Sequence, residues 1–557
     1  MVGEIMGLIA YFSAEIGLES SLPTYSGGLG VLAGDHVKAA ADAGIEMIAV
    51  TLLYRQGYGR QHVDSDGIQS ETYPEFEPSD FLEDTGIDLA LELDGCKLHS
   101  RIWKRTVTGV SGHSVDVLFL DTQNPANSAE HIALSQRLYG GDDSTRIRQE
   151  FLLGVGGVRA LKALAAWPLS GIHLNEGHCT FAALELLAQG WSRDELHNKS
   201  LFTTHTPVPA GHDRFTWQEM ERVLGTLLPE DARLLAGEDS ASMSHLAIEL
   251  CGRANAVSNL NAYVASEMFS EHHIQPITNG AHHITWVSPA MATLYDEHIS
   301  GWREDPLMLS HAGRLDDDGL TTARFSSRKI LFDIIHSMTG RKLDPSRLTI
   351  GFARRFATYK RADLVFHDLE RLRRIGKDRM QFVFAGKAHP RDEGGKEMIR
   401  MIFEAAKNLG EDVPVVFLED YSMATGLAMT SGVDVWMNNP VRPMEASGTS
   451  GMKAVMNGVP NCSILDGWWP EGCEHGVNGW AVGNSEDERD DVRDNKALLD
   501  TLEQEVLPAW QEGAQRWAAF SRAAIKTSAR FTAARMLDEY LRIYESFTPR
   551  EEVSFRG

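Results

Sequence analysis

LTIGFARR, residues 348–355, is a short strand-like apolar run that stops at the arginine pair Arg354 and Arg355. Three runs of the same kind follow it, QFVFAGK (381–387), VPVVFLE (413–419) and DVWMNN (434–439), with helical stretches between them. A comparable series lies upstream at 8–12, 47–53, 115–120 and 201–204. Such alternation is the pattern of parallel α/β layers. The fold class expected is therefore α/β.

Each run of the second series ends in polar or glycine residues, and in open α/β sheets ligands bind beyond the carboxyl ends of the strands. Arg354, Arg355, Lys387, Asn438 and Asn439 are accordingly expected along one crevice. The polar, weakly periodic stretch 300–346, with Asp316, Asp317, Asp318 and Gly319 in a row, reads as the connection between two domains. Residues 511–547 read as long amphipathic helices whose buried face holds Trp517, Phe520, Ile525, Phe531, Met536, Tyr540 and Tyr544. No internal repeat and no low-complexity segment is present.

At 557 residues the chain is too long for one typical core. Lysine and arginine number 53 against 78 acidic residues, a net charge of −25, which argues against nucleic acid or an anionic membrane as the main partner. An anionic substrate needs basic residues concentrated locally. The five cysteines are scattered without a CxxC spacing, so neither a disulfide framework nor a zinc site is suggested. Glu4 and Glu15 precede the first lysine or arginine, Lys38, so the basic n-region expected of a signal peptide is lacking. No apolar run approaches the roughly 20 residues that span a bilayer. A cytoplasmic location is expected.

EASGTSGMK, residues 445–453, combines a turn of small hydroxyl and glycine residues with a lysine just inside an apolar helix start. The turn can present several backbone N–H groups to an anion. Lys453, inward among Met452 and Met456, is costly unless it is paired, neutralised or bonded to a carbonyl group. A ligand with both an aldehyde and a phosphate, as pyridoxal phosphate has, meets both conditions. An ordinary helix start with a solvent-exposed lysine fits the same spacing.

SGGLGVLAG (26–34) is a second glycine-rich turn before an apolar helix, but Glu15 to Tyr25 separate it from the preceding strand and no acidic ribose ligand stands out, which disfavours a dinucleotide. GFARRFATYKRADL (351–364) places Arg354, Arg355, Lys360 and Arg361 after a strand-like run. A solvated helix face explains most such clusters. At a strand end, an oxyanion site held by the planar fork of Arg355 and the point charge of Lys360 is the stronger reading. HLNEGHCTF and FTTHTPVPAGHDRF bring His178, His205 and His212 together with hydroxyls and carboxylates, without an HExxH spacing. They read as cleft residues for a hydroxyl-rich ligand, with no metal expected. Trp286, Trp468, Trp469 and Trp480 are either sugar platforms or core.

Taken in order, IAYFSAEIGLESSLPTYSGGLGVLAGDH, LLYRQGYGRQ, HLNEGH, FTTHTPVPAGHDRF, ITNGAHHITW, GFARRFATYKRADL, FAGKAHP, RPMEASGTSGMKAVMNGVPNCSILDGWWPEG and NGWAVG resemble the α-glucan (glycogen, starch, maltodextrin) phosphorylase family, short prokaryotic branch, nearly end to end. The resemblance implies a GT-B fold, two Rossmann-like domains facing across the active-site cleft: 1–315 on the glucan side, 316–530 on the cofactor and phosphate side, and a C-terminal helix, 531–557, returning to the first. It implies a glycosyltransferase that cleaves α-1,4-glucan or maltodextrin with inorganic phosphate to glucose 1-phosphate, with retention. Pyridoxal 5′-phosphate would be carried on Lys453, its own phosphate serving as proton relay. By the same resemblance Arg355, Lys360 and Thr449 bind phosphate, Gly28, Gly30 and Gly448 belong to the phosphate-binding turns, and Glu445 and Asn279 face the sugar, which would make the cleft residues His178 and His205 substrate-binding as well. Family members are commonly homodimers.

One position departs from the pattern. Where the family carries a histidine that contacts the sugar's 6-hydroxyl, ANAVSNLNAYVASEMF (254–269) has Asn261, a shorter residue that holds no charge. That leaves two further readings open: a transferase or phosphorylase of the same scaffold acting on a different sugar 1-phosphate, and a catalytically silent sugar-binding homologue. The joint presence of Lys453, Arg355, Lys360 and Glu445 speaks against the last.

Overall fold

A computed structural model describes residues 7–208 and 211–547. Glu4, two residues of the FTTHTPVPAGHDRF motif and the end of the expected C-terminal segment lie outside the described residues.

The chain forms a mixed α/β structure whose two large sheets are built mainly of parallel strands. In the nine-stranded sheet the order is Ile274–Pro276, Ala254–Ala256, Ser200–Thr204, Gly171–Asn175, Ile9–Ser13, Met47–Leu52, Ser114–Asp121, Cys96–Thr108 and Glu83–Leu93. All pairings are parallel as far as Ser114–Asp121, and the last two strands run antiparallel. The second sheet has six parallel strands in the order Val415–Leu418, Met380–Ala385, Leu348–Ala353, Val435–Asn438, Asn461–Ile464 and Gly479–Val482. Leu348–Ala353 is buried at every residue, as a strand covered on both faces must be. The long edge strand Glu83–Leu93 alternates exposed and less exposed positions instead. It has no apolar run to betray it.

The polar stretch read as a connection contains a 23-residue helix, Asp317–Thr339. Asp316 is its N-cap, accepting from the Gly319 amide at 2.7 Å, and Asp317 and Asp318 sit in the first turn where the helix dipole favours negative charge. Leu320, Ala323, Ser327, Leu331 and Ile335 form its buried stripe, while Phe325, Ile330 and Met338 on the outer faces blur the periodicity.

The expected buried face of the C-terminal helices is buried throughout, from Trp517 to Tyr544. Helix Ala533–Tyr544 packs against helix Gly28–Ala43, with the Tyr544 hydroxyl between His173 Nδ1 (2.7 Å) and His36 Nε2 (3.2 Å). Just before it, the Ala281 amide donates to the Phe531 carbonyl and the Ala533 amide to the Ala281 carbonyl. At Gly280 a Cβ would lie 2.1 Å from the Thr532 carbonyl oxygen, a backbone atom that cannot rotate away. Gly280→Ala is therefore expected to destabilise the protein by about 2 kcal/mol or more. A thermal midpoint unchanged from wild type would contradict it.

A small antiparallel hairpin, Arg60–Val63 with Gln69–Thr72, reaches from the first sheet's side to the second's. Gln61 Nε2 donates to the Gly386 carbonyl (2.9 Å), and the Ala388 amide donates to Gln69 Oε1 (3.0 Å). Lys387, expected in the crevice with Arg354, is spent in this contact: its Nζ donates to the Gly59 carbonyl (3.0 Å) and pairs with Asp420 (2.6 Å).

Candidate active site

Strand Leu348–Ala353 delivers Arg354 and Arg355 at its carboxyl end, and the turn Thr358–Lys360 brings Lys360 back beside them. Glu445 lies between two of these cations, with Arg354 Nη2 at 2.5 Å and Lys360 Nζ at 2.6 Å from its Oε2. Arg354 also donates to Asn438 Oδ1. Burial alone would raise the Glu445 carboxyl, but the charges of Arg354 and Lys360 hold it down at about 2. Its amide donates to Asp466 Oδ2 (2.9 Å), and burial together with the Glu445 charge pushes Asp466 up to about 7. Arg355 stands apart from this triad and is exposed, with its charge acting on Tyr58 and His389. Asn439 is fully buried with neither side-chain atom bonded.

Helix Thr449–Met456 begins after Gly448, which takes φ 84°, a left-handed turn that suits glycine. Thr449 is its first residue, and Lys453 falls on the second turn, deeper than the first turn expected. Lys453 is 7% exposed, and its Nζ sits 3.8 Å from the centroid of the Trp286 ring. Burial lowers its pKa to about 8, with Asp35 opposing the shift and Lys38 adding to it. The 1% exposed Asp35 accepts from Trp286 Nε1 at 2.9 and 3.1 Å and from the His282 amide at 3.1 Å. Trp286 is thus a spacer between a buried carboxylate and a buried amine, held by cation–π attraction on one side and a hydrogen bond on the other. With Trp468, Trp469 and Trp480 also buried, none of the four tryptophans is an exposed sugar platform.

Gly28 opens helix Gly28–Ala43, and a Cβ on Gly27 or Gly28 would meet nothing within 4 Å, so this side of the turn borders open space. Gly30 faces inward, where a Cβ would lie 2.7 Å from Glu15 Oε2. Glu15 accepts from the Ser26 amide (2.5 Å) and from the Tyr139 hydroxyl (2.8 Å). Tyr139 in turn lines a cavity of about 460 Å³ with Tyr58, Tyr73, Arg137, His389 and Arg391. A buried amine that sheds its proton near pH 8, beside Trp286, fits covalent capture of an aldehyde; the open glycine turn and the exposed Arg355 fit phosphate.

The remaining expected residues carry unused hydrogen-bonding atoms. Asn261 Oδ1 accepts from the Val257 amide (3.1 Å), which leaves Nδ2 buried and unbonded, and Asn279 Oδ1 is in the same state. His178 Nε2 pairs with Asp213 at 3.2 Å and its Nδ1 is free. His205 Nε2 meets Asn175 Oδ1 (2.7 Å), its amide donates to Glu176 Oε2 (2.7 Å), and burial lowers it to about 4, so the ring is neutral at pH 7. Donors and acceptors left over on two asparagines and a histidine suit a polyhydroxylated ligand.

Asp35, Glu15, Tyr139 and Asp466 were missed by the sequence reading. A signal existed for Asp35, which lies seven residues past Gly28 and so returns to the same helix face.

A family profile described as carbohydrate phosphorylase matches residues 218–497. The chain is 39% identical to the maltodextrin phosphorylase of Thermococcus litoralis, across 96% of this chain and 70% of that protein. It is 36% identical to the glycogen phosphorylase of Mycobacterium tuberculosis over the same shares, and 35% identical to that of Aquifex aeolicus, across 98% of this chain and 87% of the relative.

Proposed function

The chain belongs to the carbohydrate phosphorylase family, and from that premise we propose that it is an α-glucan phosphorylase, cleaving α-1,4-glucan or maltodextrin with inorganic phosphate to release glucose 1-phosphate with retention. The observation that carries the reading is the buried amine of Lys453 on the Trp286 face, set in the same region as the two cations, Arg354 and Lys360, that flank the Glu445 carboxylate.

Lys453 is the residue that would hold pyridoxal 5′-phosphate, with Gly28, Gly30, Gly448 and Thr449 as backbone and hydroxyl partners. When bound, that group supplies a second phosphate that exchanges a proton with the substrate phosphate. Two phosphates in contact repel strongly in a dry cleft. Arg355 and Lys360 lower that repulsion, and they hold the attacking phosphate beside the positive charge that develops on the sugar. Glu445, Asn279, Asn261, His178 and His205 bind and orient sugar hydroxyls, the neutral His205 as a hydrogen-bonding group and not a charge. The two sheets serve as the facing halves of a GT-B arrangement, divided as 1–315 and 316–530, with the described part of the C-terminal segment, 531–547, returning to the first half, and the protein acts as a homodimer.

The test is phosphorolysis of maltooligosaccharides of graded length. Release of glucose 1-phosphate that requires both phosphate and glucan supports the reading; tight sugar binding in calorimetry without any sugar phosphate would replace it with a silent binding protein. Asn261 favours a second reading, in which the donor sugar differs at its 6-position, because its free Nδ2 is a weaker and shorter contact than a histidine. Asn261→His is expected to raise the preference for glucose 1-phosphate over a sugar 1-phosphate lacking the 6-hydroxyl by about tenfold. A preference unchanged by the substitution would remove position 261 from donor selection.

A further inference from the structure

At the end of helix Gly28–Ala43 away from the glycine turn, one carboxylate meets two consecutive histidines from a distant part of the chain. Asp42, at the helix end, has its Oδ2 2.8 Å from His282 Nε2, and one ligating atom from each of Asp42, His282 and His283 lies within 4.8 Å of the other two. Both rings are anchored on their far sides. His282 Nδ1 faces Thr285 Oγ1 at 2.8 Å, and Thr285 Oγ1 also accepts from Lys38 Nζ (3.1 Å). His283 Nε2 faces the Arg303 carbonyl at 2.8 Å. A carbonyl only accepts, so His283 is fixed as the Nε2–H tautomer and its Nδ1 is left as a bare lone pair. That Nδ1 is buried without any donor, on a residue 2% exposed. The Asp42–His282 hydrogen bond by itself gives no reason for this orphaned lone pair.

We propose that Asp42, His282 and His283 form a structural site for a divalent transition metal of the zinc class, which staples the end of helix Gly28–Ala43 to the turn that carries Asn279 and Trp286. Two imidazoles and a carboxylate are ligands of zinc character, and a fourth position stays open to water on the side of Asp42, whose side chain is 16% exposed. Carbonyl and hydroxyl partners behind the two rings are the outer shell such sites use to orient their ligands. Bond lengths near 2.1 Å place tetrahedral ligands about 3.4 Å apart, so the 2.8 Å Asp42–His282 contact opens slightly on binding while the remaining separations stay within the 4.8 Å that already encloses the three atoms. On binding, the ring proton that His282 Nε2 shares with Asp42 moves to Nδ1, which then donates to Thr285 Oγ1, and the long bond that Nδ1 accepts from the Thr285 amide (3.3 Å) is given up. The site is separate from the sugar and phosphate residues, and its failure would leave the proposed reaction untouched. Asp42 and His282 stand 240 residues apart, which is why no spacing motif announces them.

The experiment uses the full chain stripped with chelator, then titrated with Co(II) and Zn(II). The expected result is one Co(II) bound per chain with visible bands of low coordination number, displacement by Zn(II), and a thermal midpoint raised by a few degrees at about a hundredfold excess over the dissociation constant. Asp42→Asn with His283→Phe, which keeps ring volume, is expected to lose both effects. Absence of stoichiometric binding to the wild type, or binding retained by the folded double variant, overturns the proposal. The wild-type spectrum tests it even if the variant does not fold, because a thiolate charge-transfer band would put the ion on a cysteine and exclude the site.

Discussion

Replacing Lys453 by alanine is expected to bring phosphorolysis to background, a loss of at least about a thousandfold in kcat, and to leave no pyridoxyl group fixed to the chain by borohydride. Lys453→Arg should fail equally, since guanidinium keeps the charge on the Trp286 face but has no amine that captures an aldehyde. A charge-only role predicts the opposite, with Arg partly active. Stability gives a readout independent of activity. The Lys453 amine has its pKa lowered from 10.5 to about 8, so between those values the unfolded chain binds more protons than the folded one. The stability of the cofactor-free protein therefore rises with pH from about 8 to 10.5, by up to about 3 kcal/mol from this group. Other groups titrate in that range, but they cancel in the comparison with Lys453→Ala. Parallel pH curves for the two proteins, or activity surviving in the alanine variant, would sink the assignment.

Much of this was legible because strands buried on both faces leave unbroken apolar runs. LTIGFARR, QFVFAGK, VPVVFLE and DVWMNN each contain a strand of the six-stranded sheet. The antiparallel edge strands alternate and were passed over, and helix Asp317–Thr339 was obscured by apolar residues on its solvent faces. At the site, sequence order pointed to Arg355 and Lys360 as a pair, whereas the folded chain pairs Lys360 with Arg354 through Glu445 and leaves Arg355 exposed. Which of two adjacent arginines turns inward is decided by the partner across the strand end, here Glu445 and Asn438, some ninety residues away. Asp35 has the same character: a carboxylate on an apolar helix is readable, but its Trp286 and Lys453 neighbours are not.

The triad at Glu445 carries the second large effect, and its sign is unusual. With Arg354 and Lys360 both on one carboxylate, the cluster presents a net single positive charge to an incoming phosphate. Glu445→Gln removes the counter-ion and the proposed sugar contact together, so kcat on maltodextrin is expected to fall at least about a hundredfold. Phosphate should nonetheless bind more tightly, because the two cations are released to it, and its KM should fall. Arg355→Ala should raise the phosphate KM. Without phosphate the Gln variant leaves two buried cations uncompensated, at a cost of about 3–5 kcal/mol, and millimolar phosphate should recover part of the lost thermal midpoint. Acid pH separates the two proteins further. The Glu445 carboxyl, lowered from 4.5 to about 2, adds stability that is fully present above 4.5 and is lost as pH falls toward 2. That acid limb should be absent from Glu445→Gln. Asp466 works in the other direction: raised from 3.8 to about 7, it favours the folded state at low pH and loses that contribution as pH rises through the interval. Part of its shift comes from Glu445, so the Gln variant should ionise Asp466 at lower pH. A phosphate KM that rises in step with the fall in kcat would mean that Glu445 supports the phosphate site instead of competing with it.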